Sequence, residues 1–578
     1  MDIADYFTSP QCCYQKQYEA VRSFILDKKP ADEVAKQFGY TTTTVYTLVR
    51  NFKNKLKAEK LDDFLFASPQ HGRNKKANSA QLKNKIIALR KKYLSVEEIK
   101  EYLDSQGESA SESYIYKEIK NAGFARLPRR TKLAKKDIKT SIKIEAPKTE
   151  LLEGKKETFN SSNVGVLCFA PLIKSLKIDE LITKSLYPET KTLPRLNSIL
   201  SFVALKLSNV KRYTKDDLWC MDRGLGLLAG LNVLPKASWF SSYSHRVTRE
   251  MNINFLCAIH KLWLKHGLLS DTTNLDFTTV PYWGDDAHLE NNWSGKRHHA
   301  LSSILAAVSQ DPDSGIITYG DTDVRHDNES EIVVEFLDFY KSSGGNNLRY
   351  LVFDSKFTTY QNLKKLDDDG IKFVTIRRRG TKIVSELESL PQQAWQIVRV
   401  MAGDGKKRRL KIYDQKVFLR DYGKEIRQIA ITGHGRIKPA LIITNDFELS
   451  QADIIRKYAK RWIVEKTIAE QIHFFHLNSV SSSMVIKVDF DLTMTILAYN
   501  LYRLLALELP RYSQQTAEKL YEKFIYNSGV VNIDENEITV LMKKKRHLPA
   551  ILSAMKPLAN LDIDWLGKKI NICAASHS

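Results

Sequence analysis

Tyr458, Arg461 and Glu465 stand three and four residues apart, a spacing that places a phenol, a guanidinium and a carboxylate on one helix face. The pattern around them predicts a single helix from about Ser450 to Phe475. Such a trio can serve a phosphate and a metal ion together, because arginine grips phosphate oxygens in pairs and a carboxylate is a hard ligand for magnesium. The same residue types also make an ordinary surface helix laced with salt bridges, so the rest of the chain has to decide. Two more carboxylates stand out. Asp276 lies in the short β-run Leu275-Asp276-Phe277-Thr278-Thr279-Val280, and Asp354 closes the buried run Leu348-Arg349-Tyr350-Leu351-Val352-Phe353. Taken singly, an acid at a strand end is an ordinary solvated cap. Taken together, three such acids can hold the pair of divalent cations, about 3.5–4 Å apart, that phosphoryl transfer uses.

The elements that must bring them together read in a definite order. After Asn274 come strands at Leu275–Val280, Ala300–Ser309 and Gly315–Asp321, then an amphipathic helix at Glu329–Ser343. The strand ending at Asp354, a helix at Thr358–Asp369 and a strand at Phe373–Ile376 follow. The order β-β-β-α-β-α-β is that of the ribonuclease-H-like fold, in which the first and fourth strands are neighbours at the sheet centre. Asp276 and Asp354 would then meet although 78 residues separate them. Residues 381–445 break the rhythm and read as a β-rich insertion, with strands at 397–400, 409–413, 415–419, 426–432 and 440–443. Asp285 and Asp286, in a turn past the first strand, rival Asp276 as first ligand; Asp is expected in turns on other grounds. His298 and His299 read as part of a basic hairpin.

The totals limit the partners. A chain of 578 residues is too long for one core and divides into roughly three or four domains. The net charge of +22 and isoelectric point near 9.4 call for a polyanion. A membrane is disfavoured, because no apolar run reaches the roughly 18–20 residues a span requires and the start Met-Asp-Ile-Ala-Asp lacks a signal layout. The six cysteines form no Cys-x-x-Cys pattern, which suits a reducing interior, the cytoplasm or a nucleoid. Residues 1–150 hold 30 Lys and Arg against 19 Asp and Glu, a net of +11, so half the excess charge lies in a quarter of the chain.

That charged quarter carries two similar helical triplets. In the first, helices start near Tyr14, at Pro30 and after Thr41, with Gly39 ending the second, a helix-turn-helix layout. Its third helix would enter the major groove, offering Thr42, Thr43, Thr44, Thr47 and Arg50 to bases and phosphates. The second triplet covers 80–93, 95–105 and 109–121, with a Ser-x-x-Glu capping box at Ser95. The arm that follows, with Arg126, Arg129, Arg130 and Lys132, can track phosphates, or is a solvated linker. Residues 164–269 read as helical and offer no chemistry. Gly224-Leu225-Gly226 lacks the strand-then-helix context of a dinucleotide loop and reads as helix packing.

With these motifs in place, the chain resembles a DDE transposase of the bacterial insertion-sequence type, in the group with a β-rich insertion before the final Glu. The matching pieces are Leu275-Asp276-Phe277-Thr278-Thr279, Leu351-Val352-Phe353-Asp354 and Tyr458-Ala459-Lys460-Arg461-Trp462-Ile463-Val464-Glu465, within roughly residues 270–480. The resemblance implies that Asp276, Asp354 and Glu465 ligate two Mg2+ ions, with Mn2+ as a substitute. Tyr458 and Arg461 would contact phosphate near the cut, and Trp395, the insertion's single Trp, would stack on a flipped base unless it is a core residue. The reaction implied is hydrolysis at the element end, then attack of the freed 3′-hydroxyl on target DNA by a homodimer or larger assembly. The family pattern places a Lys seven residues after the Glu; here that position is Ile472, with His473 and His476 nearby. A retired DNA-binding regulator and a nuclease that cuts without joining are the alternative readings. The expected fold is a multidomain α/β chain. It has helix-turn-helix domains at 1–60 and 79–125, linkers at 61–78 and 126–160, and a helical domain at 161–270. A ribonuclease-H-like core at 271–380 and 446–488 is interrupted by the insertion at 381–445, and a helical C-terminal domain covers 489–578.

Overall fold

Among the described residues between Cys13 and Asn121 the apolar spacing becomes six helices: Cys13–Ile25, Ala31–Phe38, Thr42–Lys57, Ser79–Lys91, Val96–Ser105 and Glu112–Asn121. The computed structural model describes residues 12–57, 79–91, 94–125, 148–152, 154–211, 217–281, 289–294, 299–401, 407–433, 439–477 and 485–576. It falls into two compact units, Met1–Lys143 and Ile144–Ser578. In the first unit, Ala20, Val34, Phe38 and Val45 close one small core, and Ile86, Ile99, Leu103 and Ile115 another. The helix boundaries follow local chemistry. Gly39 ends the second helix at φ +61°, a left-handed conformation that favours glycine. Ser95 and Glu98 satisfy each other's backbone N–H groups in a capping box. The linker at 61–78 and most of the basic arm lie outside the described residues.

The second unit contains fifteen strands among its described residues: β1 (Glu157–Ser161), β2 (Thr272–Pro281), β3 (Asn291–Ser294), β4 (His299–Gln310), β5 (Ile317–Val324), β6 (Tyr350–Phe353), β7 (Lys372–Ile376), β8 (Gln396–Met401), β9 (Lys407–Leu419), β10 (Lys424–Thr432), β11 (Ala440–Thr444), β12 (Gly529–Ile533), β13 (Glu537–Met542), β14 (Asp562–Ile563) and β15 (Lys568–Ala574). Ten of them form one sheet in the order β3-β4-β2-β6-β7-β11-β10-β9-β8, with β5 beside β4. β2, β6 and β7 run parallel, and their neighbours on both sides are antiparallel. Alternation divides the sheet's two faces. Leu275 and Phe353 point into the large core, which includes the helix Val485–Leu507. Val352, Val374 and Ile442 point the other way, onto Ile454 and Ile455 of the helix Gln451–Lys460.

Four expectations need correction. The single helix over Ser450–Phe475 is two, Gln451–Lys460 and Trp462–His473, meeting at Arg461. There the N–H of Arg461 bonds the carbonyl of Tyr458 and the N–H of Val464 bonds that of Arg461, so the ladder tightens to three-residue steps at the junction. Residues 381–445 are β-rich and belong to the central sheet. After a helix at Thr381–Glu388, β8 to β11 extend the same ten-stranded sheet. The strands expected at 409–413 and 415–419 are one, because Asp414 stays paired across from Ile429 and is held by Arg427 at 2.7 Å.

The C-terminal region is not helical throughout. β12, β13, β14 and β15 join β1 in a five-stranded sheet, order β1-β12-β13-β15-β14, with Val531, Ile538 and Val540 in the core. The helical stretch before Asn274 is no separate domain either, since Val203, Phe202 and Leu205 share one continuous core with Leu275 and Val531. The glycines at 224 and 226 do serve packing: a Cβ on Gly226 would meet the Val233 backbone at 2.7 Å.

Glu470, on the helix Trp462–His473, accepts the backbone N–H of Ala517. Burial raises its carboxyl to about 7 from an ordinary 4.5, against that hydrogen bond and Arg503. A raised carboxylate favours the protonated form in the fold. Its contribution is fully present below about pH 4.5 and is lost as pH rises through about 7. Glu470→Gln should therefore flatten the fall in melting temperature across that window and leave the acid side unchanged; equal pH profiles for the two proteins would refute the assignment.

Candidate active site

Leu275 of β2 stands opposite Phe353 of the parallel strand β6, so the next residue on each chain is an aspartate: Asp276 and Asp354. Adjacent strands lie about 4.8 Å apart, and that register alone brings the two carboxyl-bearing residues side by side. Both fall on the face that carries Val352, the one covered by the helix Gln451–Lys460. The helix is tied down there. Asn274 donates to the carbonyl of Lys460 at 3.3 Å. Lys457 reaches Thr272 at 2.9 Å and sits 3.9 Å over the ring of Tyr350.

Asp276 is buried. Its Oδ1 accepts the N–H of Phe277 at 2.9 Å, and its Oδ2 pairs with Nη1 of Arg461, whose side chain is also buried. Asp354 is half-buried and opens a short turn, Ser355–Phe357. Phe357 of that turn stacks on Phe277 with ring centroids 3.8 Å apart, tying the turn after β6 to the middle of β2. Tyr458 completes the group. Arg461 lies 5.3 Å from its ring. Burial pushes the Tyr458 hydroxyl well above its usual range; Arg461 opposes that, while Asp354 and Asp276 add to it. Four of the predicted side chains, Asp276, Asp354, Tyr458 and Arg461, therefore share one electrostatic neighbourhood. Glu465 follows on the helix Trp462–His473, but its side chain lies outside the described positions.

The donor set suits a hard divalent cation, since Asp276 and Asp354 offer carboxylate oxygens from neighbouring strands. Among the described residues no group of three or more His, Cys, Asp or Glu side chains is arranged around a metal position. Arg461, expected on phosphate, is engaged with Asp276.

The other predicted residues are dispersed. Thr42, Thr43 and Arg50 are exposed on the helix Thr42–Lys57. The hydroxyls of Thr44 and Thr47 are taken up locally, by Thr41 at 2.8 Å and the Thr43 carbonyl at 2.9 Å. Trp395 is half-buried in an apolar cluster with Leu387, Ala430 and Tyr413. Arg126, Arg129, Arg130, Lys132, Asp285, Asp286 and His298 lie outside the described residues, and His299 is exposed. His476 bonds Asn209 at 2.6 Å, and burial lowers it to about 4, so near neutrality it carries no charge for a phosphate; His473 is exposed. Sequence reasoning missed Asn274, Lys457 and the Phe277–Phe357 stack. Only Lys457, one residue before Tyr458, had a visible signal.

Residues 269–501 match the family model described as a transposase DDE domain. The chain carries a transposase DDE domain. DDE transposases cleave and transfer DNA strands and use divalent metal ions, and Asp276, Asp354 and Glu465 all fall within the matched segment. No curated protein matches the chain. Two solved structures align with 62% of it: the crystal structure of a pre-cleavage Mos1 transpososome, at 9% identity over 77% of that chain with a TM-score of 0.13, and the crystal structure of the Mos1 strand transfer complex, at 10% identity over 76% of that chain with a TM-score of 0.12. No helix among the described residues is long and apolar enough to cross a membrane.

Proposed function

We propose that this DDE transposase binds the ends of a mobile element, cuts one strand there and joins the freed 3′-hydroxyl to target DNA. Asp276, Asp354 and Glu465 would hold two Mg2+ ions. The observation that carries the reading is the register of β2 and β6, which sets Asp276 and Asp354 next to each other, in the electrostatic neighbourhood of Tyr458 and of Arg461 at the junction of two helices. When bound, the metal pair supplies an activated attacking oxygen and a stabilised leaving oxygen. The chain's own part is positional. Arg461 fixes the Asp276 carboxylate, Asn274 and Lys457 fix the helix, and Tyr458, protonated throughout the working pH range, remains a hydrogen-bond donor. The strand order β5-β4-β2-β6-β7 supports a ribonuclease-H-like core, with β8 to β10 as the insertion.

The first unit is proposed as the end reader. Its two three-helix clusters would act as tandem helix-turn-helix modules, with Thr42, Thr43 and Arg50 toward DNA and the 126–132 cations along phosphates. Two ends have to be held for coupled joining, so a dimer or larger assembly is expected. Removing residues 1–125 should abolish protection of element ends in a footprint, while an unaltered footprint would refute that role. The catalytic reading is tested with purified protein, Mg2+ and pre-cut ends. Joined product that disappears in Glu465→Gln supports it, and cleavage with no joined product would favour a nuclease of the same fold.

A further inference from the structure

We infer that the outer face of β8 and β9 is a sequence-independent seat for the sugar–phosphate backbone of duplex DNA, built by Arg399, Lys407, Arg409 and Lys411. The polyanion's identity rests on the transposase reading; the site does not depend on the three carboxylates. β8 and β9 are antiparallel, with Ile397 opposite Lys411, Arg399 opposite Arg409 and Met401 opposite Lys407. Directly opposed residues project to the same side, so these six share one face. All six are exposed, Ile397 by 64% and Met401 by 57%. The intervening residues Val398, Val400, Leu410 and Ile412 fill the core on the other side, which fixes the orientation of both strands.

The arrangement has a cost that the fold does not recover. Like charges directly opposite each other in a sheet are destabilising, and Arg399 faces Arg409. Among the described residues none of the four cations has an acidic partner, and none makes a side-chain hydrogen bond. Elsewhere in the same sheet cations are compensated: Arg427 holds Asp414 and Lys424 holds Asp367. Along β9 the cations at 407, 409 and 411 repeat every second residue, about 6.8 Å apart, forming a rail of positive charge. A second protein surface would have to supply several acids at that spacing; a DNA backbone supplies them on every nucleotide. Ile397 and Met401, set between the cations, match the apolar faces of the sugars.

The test compares the full chain with the variant Arg399→Gln, Lys407→Gln, Arg409→Gln and Lys411→Gln. Binding to a short duplex of random sequence is measured without divalent metal, from about 50 to 200 mM salt. Each lost phosphate contact removes about 0.9 from the slope of log affinity against log salt, so the slope should shrink by roughly 2 to 4. The melting temperature should hold or rise as the Arg399–Arg409 repulsion is removed, which shows that lost binding is not lost folding. An unchanged slope would overturn the inference. So would an unchanged slope with an altered oligomer mass, which would assign the face to protein contact. Failure of Mg2+-dependent joining in the unaltered protein would sink the catalytic proposal and leave this result standing.

Discussion

Asp354→Asn is expected to abolish metal-dependent strand cleavage while element-end binding and thermal stability stay at the level of the unaltered protein. The contrast is built into the structure. The Asp354 carboxylate accepts no hydrogen bond from a described residue, and the turn it opens is held by backbone: its carbonyl takes the N–H of Phe357 at 3.2 Å. The amide retains that turn and the side-chain shape. What it removes is one carboxylate of the proposed metal-ligand set. Several kcal/mol of transition-state stabilisation from a metal centre, at about 1.4 kcal/mol per tenfold in rate, makes the loss about a thousandfold or more. Cleavage is read on labelled element ends in Mg2+, and binding by gel shift without metal. Binding lost in parallel with cleavage would make Asp354 a structural residue.

Arg461→Ala should act first on the fold. Its guanidinium and the Asp276 carboxylate are 6% and 8% exposed, so removing one partner takes a buried counter-charge away from the other. Breaking such a pair costs about 3–5 kcal/mol, against about 0–1 for a surface pair. Denaturant unfolding of Arg461→Ala is expected in the larger range, with much of the loss restored when Asp276→Asn is added, because the stranded charge is then gone. A loss under about 1 kcal/mol, or no recovery in the double variant, would mean that the pair does not organise the site. Recovery in the double variant would show that Asp276 is coupled to the fold through Arg461.

The legible parts of the chain were those fixed by short-range pattern. Leu351-Val352-Phe353 is an apolar run stopped by an acid, so Asp354 was visible at a strand end, and Asp276 was visible inside the short β-run from Leu275 to Val280. Tyr458 and Arg461 were visible because a spacing of three is a helical spacing. The break at Arg461 was not, because it coincides with an ion pair to a residue 185 positions away. The C-terminal sheet was hidden for the same reason. β1 pairs with β12 across the whole catalytic region, Phe159 opposite Val531, and neither strand announces a partner so distant. The insertion looked separate because its basic turns interrupt the α/β rhythm, whereas β11 simply adds to β7 through Ile442 and Ile376.

The convergence of three carboxylates is tested most directly by loading the protein with Fe2+ in place of Mg2+ and letting peroxide cut the polypeptide beside the bound ion. The account predicts backbone cuts clustered near Asp276, Asp354 and Glu465, suppressed by excess Mg2+ and lost in Asp354→Asn. Cuts confined to other segments, or cuts near the two aspartates with none near Glu465, would contradict it.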